Sequence, residues 1–194
     1  KGADGLKVKG KSFVKREPVT DELWQNHLNG IEPSLGIIPI NEDNECRWGC
    51  IDVDKYTLDH KQIIIKVEQL GVPLSICRSK SGGAHIFLFT TDFVPAKLMR
   101  DKLMSLSAVL GFGNAEVFPK QIELKSQDDT GNFLNLPYFN YKNTTRYCFD
   151  LKGKAITIDA FLNAVKVSAL TPKELQDLQI KRPPSEFDDG PPCL

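Results

Sequence analysis

The chain of 194 residues has no CxxC pair; its five cysteines stand at 46, 50, 77, 148 and 193, without a His/Cys partner at ligand spacing. That excludes a zinc knuckle and a disulfide framework, and implies a reduced, intracellular, cytoplasmic protein. No apolar run approaches the roughly 20 residues of a membrane span, and no secretory leader is visible, so no membrane partner is expected. An excess of either charge is also missing. The 25 basic and 25 acidic residues cancel, so bulk charge does not advertise a nucleic-acid binder, although a basic groove beside an acidic centre is invisible in that sum. The GxxxxGK[ST] spacing of a Walker A loop is absent, and no internal repeat is seen.

What is there fits one globular domain with a core of its own. We expect it over residues 1–180, with 1–45 packing on a core at 46–140 and a Pro-rich, acidic linker or disordered tail at 181–194. The chain opens on Lys1, as a trimmed or partial sequence would. Residues 1 to about 20 read as an arm or edge hairpin. "TDELWQNHLNG" reads as a helix capped by Thr20 and stopped by Gly30, and "LGIIPI" as a strand. From there "CRWGCIDVD", "PLSICRS", "AHIFLFT" and "AEVFPK" are strands, and residues 59–70 and 95–110 are amphipathic helices. The order strand, helix, strand, strand, helix, strand predicts an α+β fold: an RRM-like, ferredoxin-like βαββαβ palm core, with an added amino-terminal αβ segment. "NFLNLPYF" and "RYCFDLKGKAITI" read as further strands, and residues 158–167 and 171–179 as carboxy-terminal helices.

In this plan the first core strand is central and both helices cover one face. Side chains alternate between faces. Ile51 and Val53 then face the helices, while Cys50, Asp52 and Asp54 face the open side. The same parity puts His85, Phe87 and Phe89 on the open side of a flanking strand, and Glu116 and Phe118 on that of the other. Asp52, Asp54 and Glu116 therefore converge, and three carboxylates on one face suit hard divalent ions, Mg²⁺ or Mn²⁺. Two such ions serve nucleotidyl transfer. The turn "RSKSGGAH" suits the same chemistry: Gly82 and Gly83 allow an anion nest, Ser79 and Ser81 add hydroxyls, and Arg78, Lys80 and His85 add donors for a triphosphate.

At "IDVDK", "RSKSGGAH", "EVFPKQ" and "GNFLNLPYF" the chain resembles the archaeo-eukaryotic primase superfamily, in particular the primase-polymerases of phages, plasmids and mobile-element conflict systems. The resemblance covers about residues 35–140. It implies catalytic metal-binding aspartates at Asp52 and Asp54, a nucleotide-binding histidine at His85, and a third acidic residue at Glu116, where the family often has Asp. Many members carry Ser where this chain has Gly83. The implied activity is template-directed DNA and primer synthesis in DNA replication, on single-stranded or primed DNA with dNTPs or NTPs. Family habit and the Pro-rich end together imply a helicase or other domain in a longer natural chain, and this piece is expected to be monomeric.

Other residues are placed more loosely. Lys120 follows Glu116 closely enough to reach a nucleotide; Arg47, Lys125, Asn132 and Arg146 are candidate template contacts. Phe87, Phe89 and Phe118 are either core beneath residues 1–45 or base-stacking rings. His27 and His60 read as surface or helix-packing residues. A DxD pair alone also occurs in turns, helix caps and sugar-nucleotide sites. Two competing functions stay open: a metal-dependent nuclease using Glu123-x-Lys125, and a non-catalytic RRM-type nucleic-acid-binding module.

Overall fold

The computed structural model describes residues 14, 15, 17–55, 57–126 and 129–180. Most of the expected amino-terminal arm and all of the Pro-rich tail, with Cys193, lie outside the described residues.

Helix α1 (Asp21–Asn29) begins where Thr20 Oγ1 accepts the Leu23 N–H and ends at Gly30, whose φ of 77° is the left-handed stop. Strand β1 (Gly36–Ile37) is all that forms of the expected "LGIIPI" strand. It pairs with β6 (Leu134–Asn135) in a separate two-stranded sheet.

The main sheet contains β2 (Glu45–Val53), β3 (Ser75–Arg78), β4 (Ala84–Pro95) and β5 (Glu116–Phe118), in the order β3-β4-β2-β5 with every pair antiparallel. Helices α2 (His60–Leu70) and α3 (Ala96–Val109) complete the βαββαβ plan, and β2 occupies the middle as expected. Strand β4 runs five residues beyond its expected end at Thr90. After a register shift between Cys46 and Trp48, it resumes pairing as Val94 opposite Cys46 and Pro95 opposite Glu45.

One face of the sheet holds the larger core. Ile51, Val53, Ile86 and Leu88 meet Ile63, Ile64 and Val67 of α2 and Met99, Leu103 and Leu106 of α3. The 3.6-residue spacing of those helical side chains is what marks the two helices in sequence. Asp59 caps α2 by accepting the Lys61 and Gln62 N–H groups. Gly49 lets α3 approach β2 closely, since a Cβ there would fall 2.4 Å from Leu103 Cδ1 and 2.7 Å from both Met99 Cγ and the Phe118 carbonyl oxygen.

The other face has a second core of Cys50, Cys77, Phe87, Phe118, Leu134, Tyr138, Cys148 and Phe161, with Leu28 packed against it. Its cover comes largely from residues 134–161 rather than from 1–45. Little of that covering segment is strand, contrary to expectation: beyond β6 it makes only single bridges, Cys77 with Cys148 and Phe149 with Ala155. Positive φ values at Tyr138 (63°) and Asn140 (53°) break the extended run. Helices α4 (Ile158–Ser168) and α5 (Pro172–Asp177) follow, each opened by a threonine cap. Among the described residues no helix is long and apolar enough to cross a membrane.

Candidate active site

The strand register lays a row of side chains across the open face. Glu116 stands opposite Asp52, Asp52 opposite His85, His85 opposite Cys77, and Cys77 opposite Cys148. Neighbouring strands lie about 4.8 Å apart, so the acid on β5, the acid on β2 and the imidazole on β4 are successive neighbours. Asp54, two residues beyond Asp52, lies past the end of β2, where the chain is exposed.

The turn between β3 and β4 closes over this end. Gly82 N–H donates to the Ser79 carbonyl and Ser79 N–H to the Gly83 carbonyl, so part of the expected nest is spent holding the turn itself. Ser79 and Ser81 hydroxyls are 3.2 Å apart, and Ser81 Oγ donates to Asp54 Oδ1 at 3.2 Å. The turn is thereby tied to the acidic strand by a side chain as well as by packing. Gly83 is required by that packing: a Cβ would sit 2.1 Å from the Val53 carbonyl oxygen.

His60, read from sequence as a surface or packing residue, is part of this support. Its Nε2 donates to the Gly83 carbonyl at 3.0 Å, and its ring lies 4.9 Å from that of Phe149. The signal was positional. His60 opens the helix that follows the aspartate strand, and the plan brings that junction beside the β3–β4 turn.

His85 is buried, and its Nε2 stands 3.4 Å from Asp52 Oδ1. Burial pulls its pKa down to about 4; the charge of Arg146 pushes the same way, and Asp54 opposes. At neutral pH the ring is therefore uncharged, and its contact with Asp52 is a polar one rather than an ion pair.

Glu116 extends into solvent, and its Oε2 lies 2.7 Å from Lys120 Nζ, which also sits 5.0 Å over the Phe118 ring. A cleft of about 270 Å³ beside this pair is lined also by Arg100, Met104 and Ser107. Among the described residues no three His, Cys, Asp or Glu side chains are gathered as a metal-binding group. Glu116 turns toward Lys120 instead. An exposed pair of this kind is worth at most about 1 kcal/mol, so it is a weak restraint on a carboxylate whose neighbour in the row is Asp52.

Other expected residues spread around this centre. Arg78 gives Nη1 to the Thr145 carbonyl at 3.0 Å, Lys80 is exposed, and Ser79 is buried. Arg146 is buried near His85. Arg47 and Lys125 are not brought to the acidic row. Arg47 donates to the Thr91 carbonyl and lies 5.6 Å from the Phe93 ring. The Leu124 N–H donates to Asn44 Oδ1 at 2.7 Å, which pins Glu123 and Lys125 at the beginning of β2, about 25 Å along the strand from Asp52. Asn132 is clasped by Gln121, which accepts its N–H at 3.0 Å.

The four described cysteines, Cys46, Cys50, Cys77 and Cys148, are free and buried. Burial raises the thiol pKa of Cys46 to about 12 and pushes those of Cys50 and Cys77 well above the usual range.

No curated protein matches the chain. The model of the family described as "TOTE conflict system, Archaeo-Eukaryotic Primase domain" matches residues 4–178, which includes both cores and every residue of the row. The chain belongs to that archaeo-eukaryotic primase family.

Proposed function

We propose that this domain is a template-directed nucleotidyltransferase, a DNA primase-polymerase that joins nucleotides to a 3′-hydroxyl on single-stranded or primed DNA. The observation that carries the reading is the row Glu116–Asp52–His85, with the Ser79–Gly83 turn fastened to Asp54 at its edge. Family membership supports a primase-type nucleotidyl transfer.

The donor set fits Mg²⁺ or Mn²⁺. Asp52 and Asp54 would offer hard oxygen ligands, and Glu116, now 2.7 Å from Lys120, would add a third on parting from that lysine. Bound there, such ions would lower the pKa of the attacking 3′-hydroxyl and stabilise the departing pyrophosphate. The chain's own residues do the rest. The Ser79–Gly83 turn and His85 hold the triphosphate; the uncharged His85 does so as a hydrogen-bond donor. Lys120, once parted from Glu116, would be a cation available to the phosphates. His60 keeps the turn in place through the Gly83 carbonyl.

Two observations weigh against the alternatives. Glu123 and Lys125 are held at the far end of β2 by Asn44, away from the aspartates that a nuclease would need beside them. Phe87 and Phe118 are 2% and 4% exposed, covered by protein and so not open to stack a base as an RRM sheet requires. The test is incorporation on primed and unprimed single strands, with Mg²⁺ or Mn²⁺ and each nucleotide type. Nucleotide-dependent extension is expected. Strand cleavage without nucleotide and no extension would replace this reading with the nuclease.

A further inference from the structure

Arg146 is 6% exposed, and its Nη1 is buried with no hydrogen-bond partner among the described residues. Its guanidinium lies 5.1 Å over the Phe139 ring. Burial pulls its pKa down, yet an arginine starts high enough to remain charged. Glu32 is an opposing charge that acts on it, and that carboxylate also accepts the Ser34 N–H. A buried guanidinium with an Nη1 that has no hydrogen-bond partner among the described residues opposes folding, so the fold retains a cation with donor capacity to spare.

Its position says what could use that capacity. Cys77 pairs with Cys148, and Arg78 N–H donates to the Tyr147 carbonyl. Two residues further along that antiparallel register, Arg146 falls beside Ser79 and on the face that carries Cys148, Cys77, His85 and Asp52. Its charge is felt at His85. Arg146 is thus at the end of the row opposite Glu116 and Lys120, next to the turn that borders Asp54.

We propose that Arg146 is a phosphate-binding residue for the incoming nucleoside triphosphate, acting with Ser79 and His85, rather than a template contact. This rests on the nucleotide site proposed above. A desolvated guanidinium meets an anion without water to displace from it and can grip two phosphate oxygens at once.

The experiment measures binding of dNTPs, inorganic triphosphate and single-stranded DNA to the wild-type chain, Arg146→Met and Arg146→Lys, with thermal midpoints alongside. In Arg146→Met the dissociation constants for dNTP and triphosphate rise at least tenfold, that for DNA stays within twofold, and the midpoint equals or exceeds wild type. Arg146→Lys, which keeps the charge without the fork, loses less; it carries the comparison if the Met variant does not fold. Unchanged dNTP and triphosphate binding in either folded variant overturns the inference, as does a loss confined to DNA. A wild-type chain that binds neither dNTP nor triphosphate overturns the underlying nucleotide site as well.

Discussion

Gly83 sits where no side chain fits, because a Cβ would lie 2.1 Å from a backbone oxygen of Val53. Backbone cannot swing aside as a flexible side chain would, so Gly83→Ala must move the turn that carries Ser79 and Ser81. Overpacking of this sort costs about 1–3 kcal/mol, and we expect both that loss in denaturant titration and at least tenfold weaker dNTP binding. His27 makes a different single-residue prediction. Leu35 N–H donates to its Nδ1 at 3.0 Å and its Nε2 donates to the Pro137 carbonyl at 2.8 Å, an arrangement open only to the neutral ring. Burial accordingly pulls its pKa below 6.5. As pH falls through 6.5 the unfolded chain gains a proton that the folded chain refuses, so the stability is complete above pH 6.5 and is lost as pH falls toward the folded pKa. His85, lowered to about 4, adds a loss of the same sign between 6.5 and 4. Urea midpoints taken from pH 7.5 to 5 should fall, and fall less steeply in His27→Gln; an identical slope in that variant would count against the assignment.

The elements that carry the site are held by local signals of unequal strength. Leu103 is fully buried between α3 and the sheet and lies over Gly49; Leu103→Ala should cost about 2–5 kcal/mol in denaturation. His60→Phe keeps an aromatic ring against Phe149 but removes the hydrogen bond to Gly83. It should leave the unfolding midpoint near wild type while raising KM for nucleotide more than it lowers kcat, and an equal KM would deny His60 a part in positioning the turn. These examples also show what was legible in the sequence. The period-two alternation of "CIDVD" and the helical spacing of Ile63, Ile64 and Val67 are strictly local, so β2, α2 and the facing of Asp52 could be read directly. The cover over Phe87 could not. Residues 138–157 meet the sheet through isolated bridges and left-handed bends, which leave no periodic trace. The burial of Arg146 leaves no trace in the sequence for the same reason, because it comes from how the covering segment folds over the sheet. His60 reads from sequence as a surface or packing residue, and its bond to Gly83 is not legible there because a histidine at a helix start has no pattern of its own, only a place in the topology.

At the scale of the whole molecule, the sheet divides two cores. The helical side fixes β2 and β4, while the opposite side is filled by protein at Cys50, Phe87 and Phe118 and left open at Asp52 and Asp54. The open end is where a divalent ion and a nucleotide are expected to bind, and binding to the folded state alone stabilises it by mass action. At a hundredfold excess over Kd, dNTP with Mn²⁺ should add about 2.7 kcal/mol, or about 5–10 °C in Tm for a domain of this size. Chelation with EDTA should remove that shift. The most direct measurement of the central claim is the rate of single-nucleotide addition to a primed template, with Mg²⁺ or Mn²⁺, by wild-type protein and Asp52→Asn. The substitution keeps the shape of the side chain at the middle of the row and removes its charge. A loss of at least about a thousandfold, with the unfolding midpoint preserved, is the expected result for a metal-holding carboxylate; addition by Asp52→Asn within tenfold of wild type would contradict the account.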